Sequence, residues 1–337
     1  MRIRRTATAM TAAAAMVALS ACGGDDDAEG NGEDVEVGSD EDFVTDLTFG
    51  TGGTAGTYYP LGGELSDIFE ANTSADSVNY VESGGSGENL GQIFQEEWQL
   101  GLTQNDTAND GVNGELDDLD GVELNNIGWI ANLYPEAAHI VVRADSGFES
   151  VSDLEGATIA VGDAGSGTRA ISDAILAAHG LEEGDYDAEV TDFGASTEML
   201  ADNQIDASIF VVGTPVAGLT QLAASTDVDL LALDGEIADE ISGDSGAEPY
   251  DISTEAYDFL DEDVETVSVF AALAASTTQV SEDLGYEITA AIFDHAEEIT
   301  LDVGDSIDIE EALLGLGDVP LHPGAERYYD EQGVDLP

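Results

Sequence analysis

The chain contains no lysine, one cysteine and seven prolines, and only 7% of its residues are aromatic. Each scarcity excludes something. Without lysine there is no P-loop for a nucleotide triphosphate, because no Gly-Lys-Ser/Thr follows any glycine run. With a single cysteine, Cys22, no intrachain disulfide forms, so packing must hold the fold. Six arginines face 73 acids, for a formal charge of −67. A polyanion of this size repels DNA, RNA and anionic lipid heads, so a nucleic-acid partner is excluded. The four histidines, His139, His179, His295 and His322, are scattered without metal-ligand spacing, and no metal is expected. Asp/Glu runs lack the 12-residue calcium loop and read as solvated surface. No Gly-x-Ser-x-Gly elbow is present, although Gly165-Ser166-Gly167 is superficially close.

No long apolar run is present either. The stretch Ala12–Leu19 is too short to span a bilayer. It follows a basic start (Arg2, Arg4, Arg5) and ends in Leu19-Ser20-Ala21-Cys22, then Gly23-Gly24-Asp25. This resembles a bacterial lipoprotein signal. The resemblance implies a signal peptide over 1–21, lipidation at Cys22, and an extracytoplasmic protein anchored to the outer face of the cell membrane by acyl chains. Residues 22–46, rich in Gly, Asp and Glu, read as a flexible spacer. From Cys22 onward the 73 acids meet three cations, Arg143, Arg169 and Arg327. Such a skin over a 42% hydrophobic chain is the composition of a halophilic protein, since salt at about 1 M screens repulsion beyond about 3 Å.

From Leu47 strand, loop and helix alternate. Leu47–Phe49 is a strand and Gly50–Thr57 a loop. Pro60 opens a helix that puts Leu61, Leu65, Ile68 and Phe69 on one face. Ser77–Val81 is a strand, Glu82–Gly87 a second Gly/Ser loop, and Trp98–Gln104 a further strand. The unit recurs with strand 157–161, loop 162–168 and a helix carrying Ile171, Ala174, Ile175 and Ala178. Strands follow over 207–212, 230–233 and 267–275, then a helix over 281–299. This order predicts α/β sheets, with glycine loops at strand carboxyl ends, where open sheets bind ligands.

Gly50-x-Gly52-x-x-Ala55, with Glu82 after the next strand, fits a relaxed dinucleotide fingerprint. An acidic exported chain is a poor host for a pyrophosphate, so this reading is set aside and no cofactor is expected. Gly165-Ser166-Gly167-Thr168 at a helix start offers free N–H groups and hydroxyls to an anion. Arg169 follows at once and either grips a ligand carboxylate or pairs with a nearby acid such as Asp173.

Several blocks then carry a family resemblance. They are Gly50-Thr51-Gly52-Gly53-Thr54-Ala55-Gly56-Thr57-Tyr58-Tyr59-Pro60-Leu61-Gly62-Gly63, Glu82–Leu90, Leu133-Tyr134-Pro135-Glu136, His139–Arg143, Gly213-Thr214-Pro215 and Pro320–Tyr329. Over about 47–333 the chain resembles the TAXI family of solute-binding proteins that serve TRAP transporters. It departs at Ile252-Ser253-Thr254-Glu255-Ala256-Tyr257, near the ligand. The resemblance implies a two-lobed α/β periplasmic-binding-protein-like fold (type II), with a ligand cleft between lobes joined by a hinge. Lobe 1 would comprise 47–142 and 265–337, and lobe 2 with its hinge crossings 143–264. The implied function is a non-enzymatic, monomeric receptor that captures a small carboxylate, either a glutamate-like amino acid or a C4–C5 dicarboxylate. Delivery would be to a TRAP-type membrane permease. The ligand-binding residues expected are Gly53, Thr54, Thr57, Tyr58, Ser86, Gln104, Gly165, Ser166, Gly167, Thr168, Arg169, Gly213 and Pro215. A lipoprotein sensor subunit, or an exported enzyme, is the alternative.

Overall fold

The computed structural model describes residues 36–116, 119, 121–245 and 247–337. The expected signal peptide and the expected lipidation site, Cys22, lie outside the described residues.

The order of elements begins with β1 (Asp46–Gly50), α1 (Tyr58–Asn72), β2 (Ser77–Val81), α2 (Ser86–Phe94), β3 (Leu100–Gln104) and α3 (Asn105–Asn113). Next come β4 (Ile127–Arg143), β5 (Thr158–Ala160), α4 (Gly167–Ala178), β6 (Asp187–Glu189), α5 (Phe193–Ala201) and β7 (Ala207–Val212). The chain continues with α6 (Ala217–Ala223), β8 (Val228–Leu230), α7 (Gly235–Ser245) and β9 (Glu248–Ile252). It closes with β10 (Val264–Ser276), α8 (Glu282–Asp294) and α9 (Pro323–Gln332). The strands run β2-β1-β3-β10-β4-β7-β5-β6, with β8 added on β4 and β9 on β10.

Two strands organise this sheet. The first part of β4, Ile127–Ala137, pairs antiparallel with Ser268–Ser276 of β10. Its second part, Ala137–Val142, pairs with β7, and its last residues pair with β8. Likewise β10 pairs with β9 through Val264–Ser268 and with β3 through Ala271–Ala275. Both strands therefore change partners near residues 137 and 270. The flanking strands are parallel pairs, β1 with β2 and β3, and β5 with β6 and β7. Their helix crossovers cover the faces, as parallel pairing requires.

The apolar clusters divide at the same places. Two clusters combine residues of 47–134 with residues of 271–336, among them Phe49, Leu65, Trp129 and Tyr329. Two others draw only on 137–269, among them Ile140, Ile175, Phe210 and Tyr257. Trp129 and Tyr329 are fully buried and keep their polar atoms satisfied. The indole N–H donates to Ala312 O at 3.0 Å and the phenol donates to Ile130 O at 2.6 Å.

Strands β2 and β7 have the bounds that alternation predicts. Strand β4 is missing from the sequence reading because nearly every residue on both its faces is buried, which erases the period of two. The changeover between clusters falls at 134–137 and 269–271, inside strands. The expected boundaries at 142 and 264 came from the family resemblance. From Glu36 the acidic segment is seated on the folded unit. Gly38 N–H donates to Thr277 O at 3.1 Å and Val44 N–H to Gln279 O at 2.9 Å. Backbone pairing of this kind needs no apolar side chain, so composition read these residues as flexible spacer.

Candidate functional site

The glycine loops after β1, β2 and β5 converge on one cavity of about 100 Å³. It is lined from lobe 1 by Gly52, Gly53, Gly56–Tyr58, Ser83–Ser86, Gln104 and Glu136. Across from these lie Gly162, Asp163, Ser166–Thr168, Thr191–Phe193, Ser196 and Ser208–Val212. The two sets come from the two cluster groups described above, so the cavity sits between lobes. The lobes touch beside it, where Gly87 N–H donates to Gly165 O at 2.9 Å.

Four helices, α1, α2, α4 and α5, begin at this wall. Each N-terminus presents unpaired N–H groups and about half a positive charge. Their caps differ. Ser166 Oγ accepts from Thr168 N–H at 3.1 Å, and Asp192 Oδ1 accepts from Ala195 N–H at 2.9 Å. Helices α1 and α2 have no side-chain cap, and in α2 the Gly87 N–H is already given to Gly165 O. Gly167 has a packing reason: a Cβ there would overlap Gln104 Oε1. Asp163, which also lines the cavity, accepts from Ala164 N–H at 2.8 Å.

Glu136 lies in the middle of β4 and is 2% exposed. Its Oε2 accepts from Tyr58 Oη and Gln104 Nε2, each at 3.0 Å, and its Oε1 accepts from Tyr134 Oη at 3.2 Å. Burial pushes its carboxyl up to about 8; the three donors oppose this and the nearby Asp106 carboxyl adds to it. Burial, with the charge of Glu136, holds the phenols of Tyr58 and Tyr134 well above their ordinary value, so both remain donors. Because Gln104 Nε2 donates to Glu136, Gln104 Oε1 is the acceptor end, and it is buried without a hydrogen-bond partner. The far wall is aromatic. Phe193 and Phe210 have centroids 4.0 Å apart, and Phe210 stacks on buried His139.

Of the residues expected from sequence, Gly53, Thr57, Tyr58, Ser86, Gln104, Ser166, Gly167 and Thr168 line the cavity. Gly165 and Arg169 line a neighbouring cleft instead. Arg169 Nε donates to Asp173 at 2.7 Å. Thr54 is exposed. Gly213 packs against Tyr134, Val303 and Thr57, and Pro215 follows a cis peptide bond; neither lines the cavity. Arg143 pairs with Asp145, and Arg327 with Glu282 and Asp283, so each arginine among the described residues has an acidic partner. Tyr257, at the end of the divergent segment, bonds His139 Nε2 at 2.9 Å and accepts from Val216 N–H at 3.0 Å. Glu136, Phe193, Ser196 and Phe210 were not anticipated as site residues. The signal for Glu136 was its being the lone acid between Ile127 and Val142.

A cavity between two α/β lobes, at strand carboxyl ends, defines the class: this is a two-lobed periplasmic-binding-protein fold. Residues 49–333 match the model of the NMT1-like family, and the chain belongs to that family. The expected TAXI membership is thereby corrected, because the family that matches is a different one. Among solved structures, the chain is similar to PhnD1 from Prochlorococcus marinus (MIT 9301), solved with methylphosphonate. The TM-score is 0.52 and the identity 10%, with 86% of this chain and 98% of that chain covered. It is also similar to the alkanesulfonate-binding protein SsuA from Xanthomonas axonopodis pv. citri bound to MOPS. There the TM-score is 0.47 and the identity 15%, with 86% and 84% of the two chains covered.

Proposed function

We propose that this protein is an extracytoplasmic, non-enzymatic receptor that captures a small carboxylate in the cavity between its lobes and presents it to a membrane permease. The observation that carries the reading is the convergence of four helix N-termini on one cavity whose lining holds no cationic side chain. In a chain this acidic, helix ends and backbone N–H groups are the means of holding an anion. The lining has hydroxyls and amides but no nucleophile aligned with a base, which favours binding over turnover. The TRAP type of permease rested on the corrected resemblance and is not carried forward. Cys22 is proposed as the lipid anchor, and an acylated N-terminus in the mass of detergent-extracted protein tests it.

A thermal-shift screen in molar NaCl tests the ligand class. The panel comprises carboxylates, amino acids, alkylphosphonates, alkanesulfonates and neutral sugars. Carboxylate-bearing solutes should raise the melting temperature, because a ligand at 100 times its Kd adds about 2.7 kcal/mol of stability. A shift with sugars alone, or with sulfonates or phosphonates and no carboxylate, refutes the reading.

A further inference from the structure

We infer that Gln104 and Glu136 form an ammonium-binding subsite in the cavity floor, so that the receptor prefers an amino acid to the acid that lacks its amino group. This rests on the carboxylate reading of the cavity and narrows it.

The argument begins with an imbalance of donors and acceptors. Glu136 already receives three donors, from Tyr58, Gln104 and Tyr134. Further donors, not acceptors, suit an oxygen so placed. Beside it, Gln104 Oε1 is 97% buried with its residue and has no partner. An unmet buried acceptor costs roughly 1–3 kcal/mol. In the arrangement found, Nε2 donates to Glu136 and Oε1 is the free end. Both residues line the cavity. An ammonium group brings three N–H donors and a positive charge, which satisfies the orphan amide oxygen and the carboxylate together. A second carboxylate at this place would meet two acceptors and a buried acid. The ligand carboxylate is left to the helix starts of the same lining.

The groups facing Glu136 support the charge assignment. Tyr58 from α1 and Tyr134 from β4 stay neutral, Gln104 from β3 carries no charge, and Asp106 from α3 is an acid. Asp163 and Asp192 are the further acids in the lining. No cation of the protein faces Glu136 among the described residues, which leaves that place for one from the ligand.

The test is calorimetry in molar NaCl at pH 7 on matched pairs: L-glutamate with glutarate, L-aspartate with succinate, and L-alanine with propionate. The wild type should bind at least one amino acid about tenfold or more tightly than its partner. Burial keeps Glu136 protonated at pH 7 in the empty site, so the arriving ammonium displaces its proton. Heats in buffers of different ionisation enthalpy should show close to one proton released. Glu136→Gln should abolish the preference and the proton release; Gln104→Met, which keeps Glu136, should reduce the preference if the first variant does not fold. Equal affinities within each pair, or a preference that survives Glu136→Gln, overturns the subsite and leaves the carboxylate site standing. If no member of any pair binds, both readings fall.

Discussion

Gly87 offers a perturbation in which affinity and stability should move in opposite directions. It is the second residue of α2, and its N–H donates across the cleft to Gly165 O at 2.9 Å. A Cβ at this position would lie 2.8 Å from the same oxygen, whereas ordinary contact starts near 3.4 Å. Neither group is a flexible side chain, so Gly87→Ala must part the loops by roughly half an ångström. That displacement stretches the hydrogen bond beyond useful length, at about 0.5–1.5 kcal/mol, and adds some residual crowding. A total of about 1–2 kcal/mol against the closed form corresponds to a five- to thirtyfold weaker Kd. The same substitution favours the helix itself, since glycine in a helix costs roughly 0.5–1 kcal/mol relative to alanine. The ligand-free melting temperature should hold or rise while affinity falls. Calorimetry with the most stabilising solute of the screen, beside ligand-free thermal unfolding, measures both. A Kd within twofold of wild type, in a protein that unfolds at or above the wild-type temperature, refutes the idea that this contact belongs to the ligand-bound state.

Three further expectations follow from the charges. The carboxyl of Glu136 rises from 4.5 unfolded to about 8 folded, so the native state holds a proton that the unfolded chain has lost. Stability contributed there is present below 4.5 and declines as pH rises towards 8, by at most about 5 kcal/mol; Glu136→Gln should flatten the fall of ligand-free melting temperature between pH 5 and 8, and an identical fall in the variant counts against the assignment. Arg169→Ala should change ligand affinity less than about twofold and stability by under about 1 kcal/mol, because its partner Asp173 is a half-exposed neighbour on α4; a large loss of affinity in calorimetry would return Arg169 to the site. Dialysis from about 1 M to 0.1 M NaCl should lower the melting temperature markedly as the screening length grows from about 3 to 10 Å; a flat profile would remove the high-salt reading of the acidic surface.

The parts legible in the sequence were those with a local pattern. Parallel strands such as β2 and β7 are short and bounded by glycine loops, and the loops at 50–57, 82–87 and 162–168 announce helix starts. These loops do line the cavity. The rest depended on partners distant in sequence. Only its isolation between Ile127 and Val142 marks Glu136 among 73 acids, and its burial comes from β10, α1 and β3 packing around β4. Rarity drew attention to Arg169, yet an acid one helical turn away satisfies it. In a chain with this many carboxylates, an arginine meets a local partner before it meets a ligand. The aromatic wall of Phe193 and Phe210 comes from two elements that no spacing relates.

The doubled passage of β4 and β10 through both halves of the sheet has a consequence for how the molecule is made. Residues 137–269 form a continuous stretch that can complete its own apolar clusters once β10 has begun. The remaining half is interrupted by that insertion. Its strand β3 waits for Ala271–Ala275, and its core waits for Tyr328 and Tyr329 near the end of the chain. Contacts separated by about 170 residues or more close late, because long loops must be ordered before they are rewarded. The half that carries Glu136 and the first two glycine loops is therefore the last to form, and the cavity exists only when the final helix has docked.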